Sequence, residues 1–356
     1  MNNKKWIIIV LILSLLGIAF VGVINYIVDP LQQYRDKTFY PIAFTNERYQ
    51  NAGLSKNFKY DSLILGTSMT ENFVIDEVEK YLDFKKVIKL SVAGGSAKEQ
   101  SITVQTAIDN NKSLKNVLWG LDTFAFVGET NSLRYGENTF PFYLYDNNKF
   151  NDYKYILSLD TLRDSIRAIM SNYSDNSEKT IYDYNSMYKW QHPNDENFTL
   201  KNVYLGWKNR KEFINYEKNK QTFRYLKNNF DVNFFSIIKN NPQINFKIFF
   251  PPYSILAFKT FEERKLTNDI LEFKEYIYNS LLSYDNVKIY DFQSEKNIIY
   301  DLNNYKDLYH YHERINTWLL QQIKVNNYLV KKENINEYLD SLKKEIEEYD
   351  LKEIQE

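Results

Sequence analysis

The chain contains no cysteine, which excludes disulfides, thiolate nucleophiles and cysteine-ligated zinc or iron–sulfur sites. It has almost no net charge. The 45 basic and 46 acidic side chains are interspersed and leave a formal charge of -1, so there is no electrostatic footprint for nucleic acid. Histidine is scarce, with three in the chain, and the only close pair, His310 and His312, lacks the accompanying ligands of a metal site. Neither a metal nor a cofactor is expected. No internal repeat is visible. What abounds instead is Asn, Ile, Tyr and Lys, the bias of an AT-rich bacterial genome.

One long apolar run stands out, from Trp6 to Val28, with Asn25 its one strongly polar side chain. At about 1.5 Å per residue it reaches roughly 34 Å, enough to cross a bilayer core. A cleaved signal peptide has a shorter apolar region ending at small residues; here Asn-Tyr-Ile-Val-Asp-Pro follows, without an Ala-x-Ala site. The run therefore reads as a retained signal anchor. Lys4 and Lys5 precede it and Asp29 and Asp36 follow, so the N-terminus is expected in the cytoplasm and the rest outside it.

Beyond the anchor, short β-branched runs alternate with helical stretches. Asp61 to Gly66, Val87 to Ser91, Val117 to Leu121, Phe246 to Phe250 and Val287 to Phe292 read as five buried strands. Helices are expected near Glu71 to Leu82, Ala97 to Asn110, Asn219 to Lys239, Phe261 to Ser283 and His312 to Val325. Such alternation predicts an α/β three-layer sandwich, flavodoxin-like, around a five-stranded, mostly parallel sheet. The expected organisation is a stub and anchor over 1–28, a connector over 29–60, the α/β domain over 61–327, and a charged amphipathic helix over 328–356. An aromatic-rich insertion at about 125–218, with Phe140, Phe142, Trp190 and Trp207, interrupts the alternation and is expected to cap the site. The last helix reads as packed on the domain or partly solvated, with partner docking as the other reading.

In such sheets ligands bind beyond the carboxyl ends of the strands, and every chemically suggestive residue falls there. Ser68 follows the first strand in Leu-Gly-Thr-Ser-Met-Thr, at a strand-to-helix turn whose free amides favour negative charge. The competing role is a helix cap, with Glu71 as its capping-box acid. Gly94 and Gly95 follow the second strand and offer backbone amides for an oxyanion. After the fifth comes Asp-Leu-Tyr-His, where His310 can take the serine proton and Asp307 can orient the imidazole. His312 is the alternative base, and His192 reads as a surface residue.

At these residues the chain resembles the SGNH (GDSL-like) hydrolase superfamily, in its membrane-anchored bacterial branch that includes accessory proteins of teichoic-acid D-alanylation and alginate O-acetylation. The resemblance spans about Asp61 to Val325. It implies Ser68, Asp307 and His310 as the catalytic residues, and Ser68 with Gly94 or Gly95 as the oxyanion hole. One block departs. The superfamily's third motif is typically Gly-x-Asn-Asp, whereas this chain has Gly120-Leu121-Asp122, and a carboxylate accepts hydrogen bonds where an oxyanion needs a donor. Asp122 is then a support for substrate or for a neighbouring amide, with Asn72 an alternative donor. The implied activity is an extracytoplasmic serine-dependent O-acyl esterase or O-acyltransferase on an envelope polysaccharide or cell-wall polymer, with a multispanning membrane acyltransferase as a candidate partner. The alternative is a catalytically weak scaffold or accessory subunit for such a partner.

Overall fold

The computed structural model describes residues 3–44, 46–136, 139–173, 183–192, 194–209 and 218–354. Each apolar run forms a strand: β1 Ser62–Leu65, β2 Val87–Lys89, β3 Asn116–Gly120, β4 Asn245–Phe250 and β5 Val287–Asp291. All pairings are parallel, and the order across the sheet is β2-β1-β3-β4-β5. The chain winds outward from β1 to β2, then crosses back over β1 to β3. That reversal opens a crevice at the carboxyl ends of β1 and β3, where ligands bind in sheets of this kind. The two strands end nearly level, with Leu65 opposite Trp119.

The helices of eight residues or more are α1 Asn3–Val28, α2 Glu47–Asn57, α3 Ile75–Leu82, α4 Ala97–Asn110, α5 Leu159–Ser171, α6 Leu200–Lys208 and α7 Phe223–Phe230. After β4 come α8 Ile255–Glu263, α9 Thr267–Leu281, α10 Glu313–Lys324 and α11 Ile335–Glu348. α3 packs on α10, while α4, α7 and α9 lie side by side as a separate group. Strand residues are buried on both faces of the sheet, as a parallel sheet between two helical layers requires.

Two expectations needed correction. The helix expected from Phe261 to Ser283 is two helices, α8 and α9. Lys265 lies in the left-handed region (φ 57°), its N–H bonds Glu262 O and the Leu266 N–H returns to Phe261 O, both at 2.8 Å. This is a Schellman ending with lysine where glycine is usual. The helix expected at Glu71 begins only at Ile75; before it lies a single 3-10 turn, Ser68–Thr70. The connector over 29–60 holds the unanticipated α2, which packs on α4 with most of its residues buried.

The C-terminal α11 packs on α8 and α9, with Leu342 and Ile346 buried. The insertion at about 125–218 lies only partly within the described residues, since 174–182 and 210–217 fall outside them. Phe140 and Trp207 are buried and Phe142 is exposed. α1 is long and apolar enough to cross a membrane and its most apolar stretch is unburied; only Gly22, Asn25 and Val28, near its end, are buried.

Candidate active site

The Ser68 turn is shaped by two glycines. Gly66 has φ 149°, and a Cβ on it would come within 2.7 Å of Thr70 Cγ2. A Cβ on Gly120, at the end of β3, would meet the same methyl at 2.6 Å. Thr70 therefore packs directly on the ends of β1 and β3, which draws the turn down onto the sheet. The Thr70 hydroxyl donates to Thr67 O at 2.8 Å and lies 2.6 Å from the Ser91 hydroxyl. Thr67 is the cap of this turn, accepting from the Met69 N–H at 3.3 Å. Ser68 Oγ is thus left for another partner, and Glu71 makes no capping box there.

That partner is His310. Ser68 Oγ lies 2.7 Å from His310 Nε2, and His310 Nδ1 lies 2.7 Å from Asp307 Oδ2. Asp307 Oδ1 accepts the backbone N–H groups of Tyr309 and His310, both at 2.9 Å. Asp307 is therefore fixed by its own loop and presents its second oxygen to the ring. Burial opposes its charge, but the bonds to His310 and the two amides outweigh it and hold the carboxyl down at about 2. For His310, burial lowers the pKa, but Asp307, aided by the charge of Asp122, raises it above the ordinary imidazole value. His312 has other duties: its Nδ1 accepts from the Arg314 N–H at 3.2 Å as the cap of α10, and its Nε2 lies 3.0 Å from Gln191 Nε2. His192 is exposed.

The two glycines after β2 differ. Gly95 N–H donates to Val92 O at 2.7 Å, and a Cβ there would strike Val92. Gly94 is exposed with φ 56°. Among the described residues, neither its N–H nor that of Ser68 has a protein acceptor. The loop is held from outside the sheet by α2. Arg48 bonds Glu99 at 2.9 Å and Ala93 O at 2.9 Å, and Asn51 bonds the carbonyls of Leu90 and Ser91 at 3.1 and 2.9 Å.

Asp122 is buried and both its oxygens are occupied, one by the Thr67 hydroxyl and the other by Tyr253 OH at 2.6 Å. Burial raises its pKa against those two hydrogen bonds. Its place is behind the Ser68 turn, joining β1, β3 and the loop after β4. Asn72 is also buried; its Oδ1 accepts the backbone N–H groups of Trp190 and Gln191, both at 3.1 Å. Its carboxamide thereby holds the insertion in place.

Four residues with a part here lie outside the expected site. Thr67 and Tyr253 stand beside recognised positions, Tyr253 directly after the Pro251-Pro252 pair that ends β4. Trp190 was noted merely as one of many aromatics. Its indole N–H donates to Ser68 O at 2.9 Å, and its ring stands edge-on to His310 with centroids 5.2 Å apart. Lys89, fully buried on β2, bonds the carbonyls of Glu71 and Met187 at 2.5 and 2.8 Å, and so ties the segment after the serine turn to the insertion.

No family model matches the chain, and no curated protein matches it. Among solved structures, one from Streptococcus pneumonia, described as that of "a putative platelet activating factor", aligns over 79% of this chain and 89% of that chain. The identity is 8% and the TM-score 0.35, a likeness too faint to bear on function. The chain is an α/β protein built on a five-stranded parallel sheet, with a long apolar helix at its N-terminus.

Proposed function

We propose that this protein is a membrane-anchored serine O-acyl esterase or O-acyltransferase working outside the cytoplasm on an envelope polysaccharide or cell-wall polymer. One observation carries the reading: the Ser68–His310–Asp307 relay, with both links at 2.7 Å, at the switch point of a doubly wound sheet.

Ser68 Oγ attacks the acyl carbonyl as its proton passes to His310 Nε2, and the imidazolium is stabilised by Asp307. The tetrahedral oxyanion is held by the free N–H groups of Ser68 and Gly94. Collapse expels the alcohol, which takes the proton from Nε2 and leaves acyl-Ser68. Water or a sugar hydroxyl then gives its proton to His310 and attacks the acyl carbon; the acyl–Oγ bond breaks as Nε2 returns the proton to Ser68 Oγ, and the free acid or the acylated sugar leaves. The choice between hydrolase and transferase rests on which acceptor reaches the intermediate. The anchor supports a substrate within reach of the membrane, and the half-buried Trp190 supports a sugar ring over the site.

The test is hydrolysis of p-nitrophenyl acetate by the detergent-solubilised full chain beside Ser68→Ala and His310→Ala. Each variant is expected to lose on the order of 10³-fold or more in kcat/KM. Equal rates in all three would refute the serine mechanism and favour the scaffold reading.

A further inference from the structure

The structure joins α1 to the insertion by polar and close-packed contacts. Asn25, buried within the last turns of α1, donates to the carbonyls of Ile156 and Ser158 at 2.8 and 3.0 Å and accepts from the Ser165 hydroxyl at 3.0 Å. A Cβ on Gly22 would come within 3.2 Å of Leu157 and 3.3 Å of Ile156, so the glycine permits the approach. Just beyond, the buried Asp29 accepts from the Gln33 and Tyr34 amides and from Tyr155 OH at 2.9 to 3.0 Å. α5 lies directly against α1.

α5 has three unlike sides. Thr161, Ser165 and Ala168 are buried, and Ser165 is the one bonded to Asn25. Asp160, Asp164 and Arg167 occupy a second side, Arg163 stands at its edge beside Met170, and the four make ion pairs with one another. On the third, Leu159, Ile166 and Met170 are exposed to 74%, 44% and 65%. A soluble domain has no reason to gather large apolar side chains on the free side of a helix already packed by its small one. Such a helix lies in a membrane interface, apolar side down and charged side in water.

From these contacts we infer that α5 is a second membrane contact, seated flat in the outer boundary of the bilayer beside the anchor. The occupant of its apolar side is lipid, and the argument is continuity with α1. Asn25, which bonds Ser165 of α5, stands three residues, about 4.5 Å, below the end of α1, and an interfacial helix sinks its apolar face by about 5 to 10 Å. The contact therefore places α5 at the depth where acyl chains meet headgroups. With two arginines balanced by two aspartates, the attachment is apolar, and zwitterionic lipid suffices. The inference rests on the reading of α1 as a membrane span.

The absence of cysteine makes a site-by-site test direct. Single variants Ile166→Cys, Met170→Cys, Asp160→Cys and Leu15→Cys of the full chain, nitroxide-labelled in phosphatidylcholine vesicles, are compared for collision with oxygen and with a water-soluble nickel complex. Leu15 reports on the anchor alone. Labels at 166 and 170 are expected to resemble the one at 15, with nickel collisions several-fold below those at 160. Labels at 166 and 170 that match 160, or that are shielded from both reagents by a covering protein, would overturn the inference while leaving the anchor standing. A water-exposed label at 15 would remove both.

Discussion

Trp190 donates its indole N–H to the backbone carbonyl of Ser68, 2.9 Å away. A residue of the insertion thus braces the main chain at Ser68 and with the same ring walls one side of His310. Trp190→Phe keeps much of the wall and removes the donor. A neutral hydrogen bond contributes about 1 kcal/mol, so kcat/KM for an aryl ester is expected to fall about five- to tenfold with little change in thermal midpoint. A drop in midpoint without a change in rate would show the tryptophan to be packing alone.

The charge states of the relay set a pH profile. In the proposed mechanism His310 acts as a base only when neutral, and its pKa is raised, so activity should rise with pH to a plateau through a midpoint above the usual imidazole value of about 6.5. Asp307→Asn removes the main cause of the elevation. The plateau is expected to fall on the order of 10²-fold or more, and the midpoint to move to lower pH. Stability runs the other way for the imidazole: its contribution is full below the unfolded pKa and is lost as pH rises through the folded one. The Asp307 contribution is present above its unfolded value and is lost as pH falls toward about 2. Rate profiles and unfolding midpoints measured across pH on both proteins check each sign.

If the position of Asp122 called for an oxyanion donor, Asp122→Asn would be an improvement. The structure argues for the opposite outcome, because both carboxylate oxygens already face the hydroxyls of Thr67 and Tyr253. An amide nitrogen in place of one acceptor leaves a buried mismatch of about 1 to 3 kcal/mol and loosens the residue next to the nucleophile. Lower denaturant midpoint and about tenfold lower kcat are expected, with the acid limb shifted slightly down as His310 loses a nearby negative charge. A faster enzyme would show that the introduced carboxamide reaches the substrate.

The sheet was readable because each strand is a short β-branched run bounded by a turn, and because burial on both faces makes such runs continuous in sequence. The relay pair Asp307 and His310 was equally plain, since both residues sit in one short loop and the rarity of histidine leaves few candidates. What escaped notice depends on contacts between distant parts of the chain. Lys265 in a left-handed conformation gives no glycine signal, so the break between α8 and α9 was hidden. Arg48 and Asn51 look like ordinary polar residues of a connector until α2 is seen to hold the loop after β2. The separate fates of Gly94 and Gly95 follow from one hydrogen bond to Val92, which no spacing reveals.

The burial of Asn25 and Asp29 also bears on reach. A flexible tether of n residues lets its cargo sample roughly 5 to 6 Å times the square root of n, so a long leash would let a site search far from its attachment. Here hydrogen bonds on both sides of Val28 leave no leash at all. The domain is mounted on α1 as a lamp on a post, so that, with α1 read as an anchor, Ser68 stands at one set height. Under the proposed function, a polymer has to be brought to that height, by its own chain mobility or by a neighbour that presents it, before the serine can act.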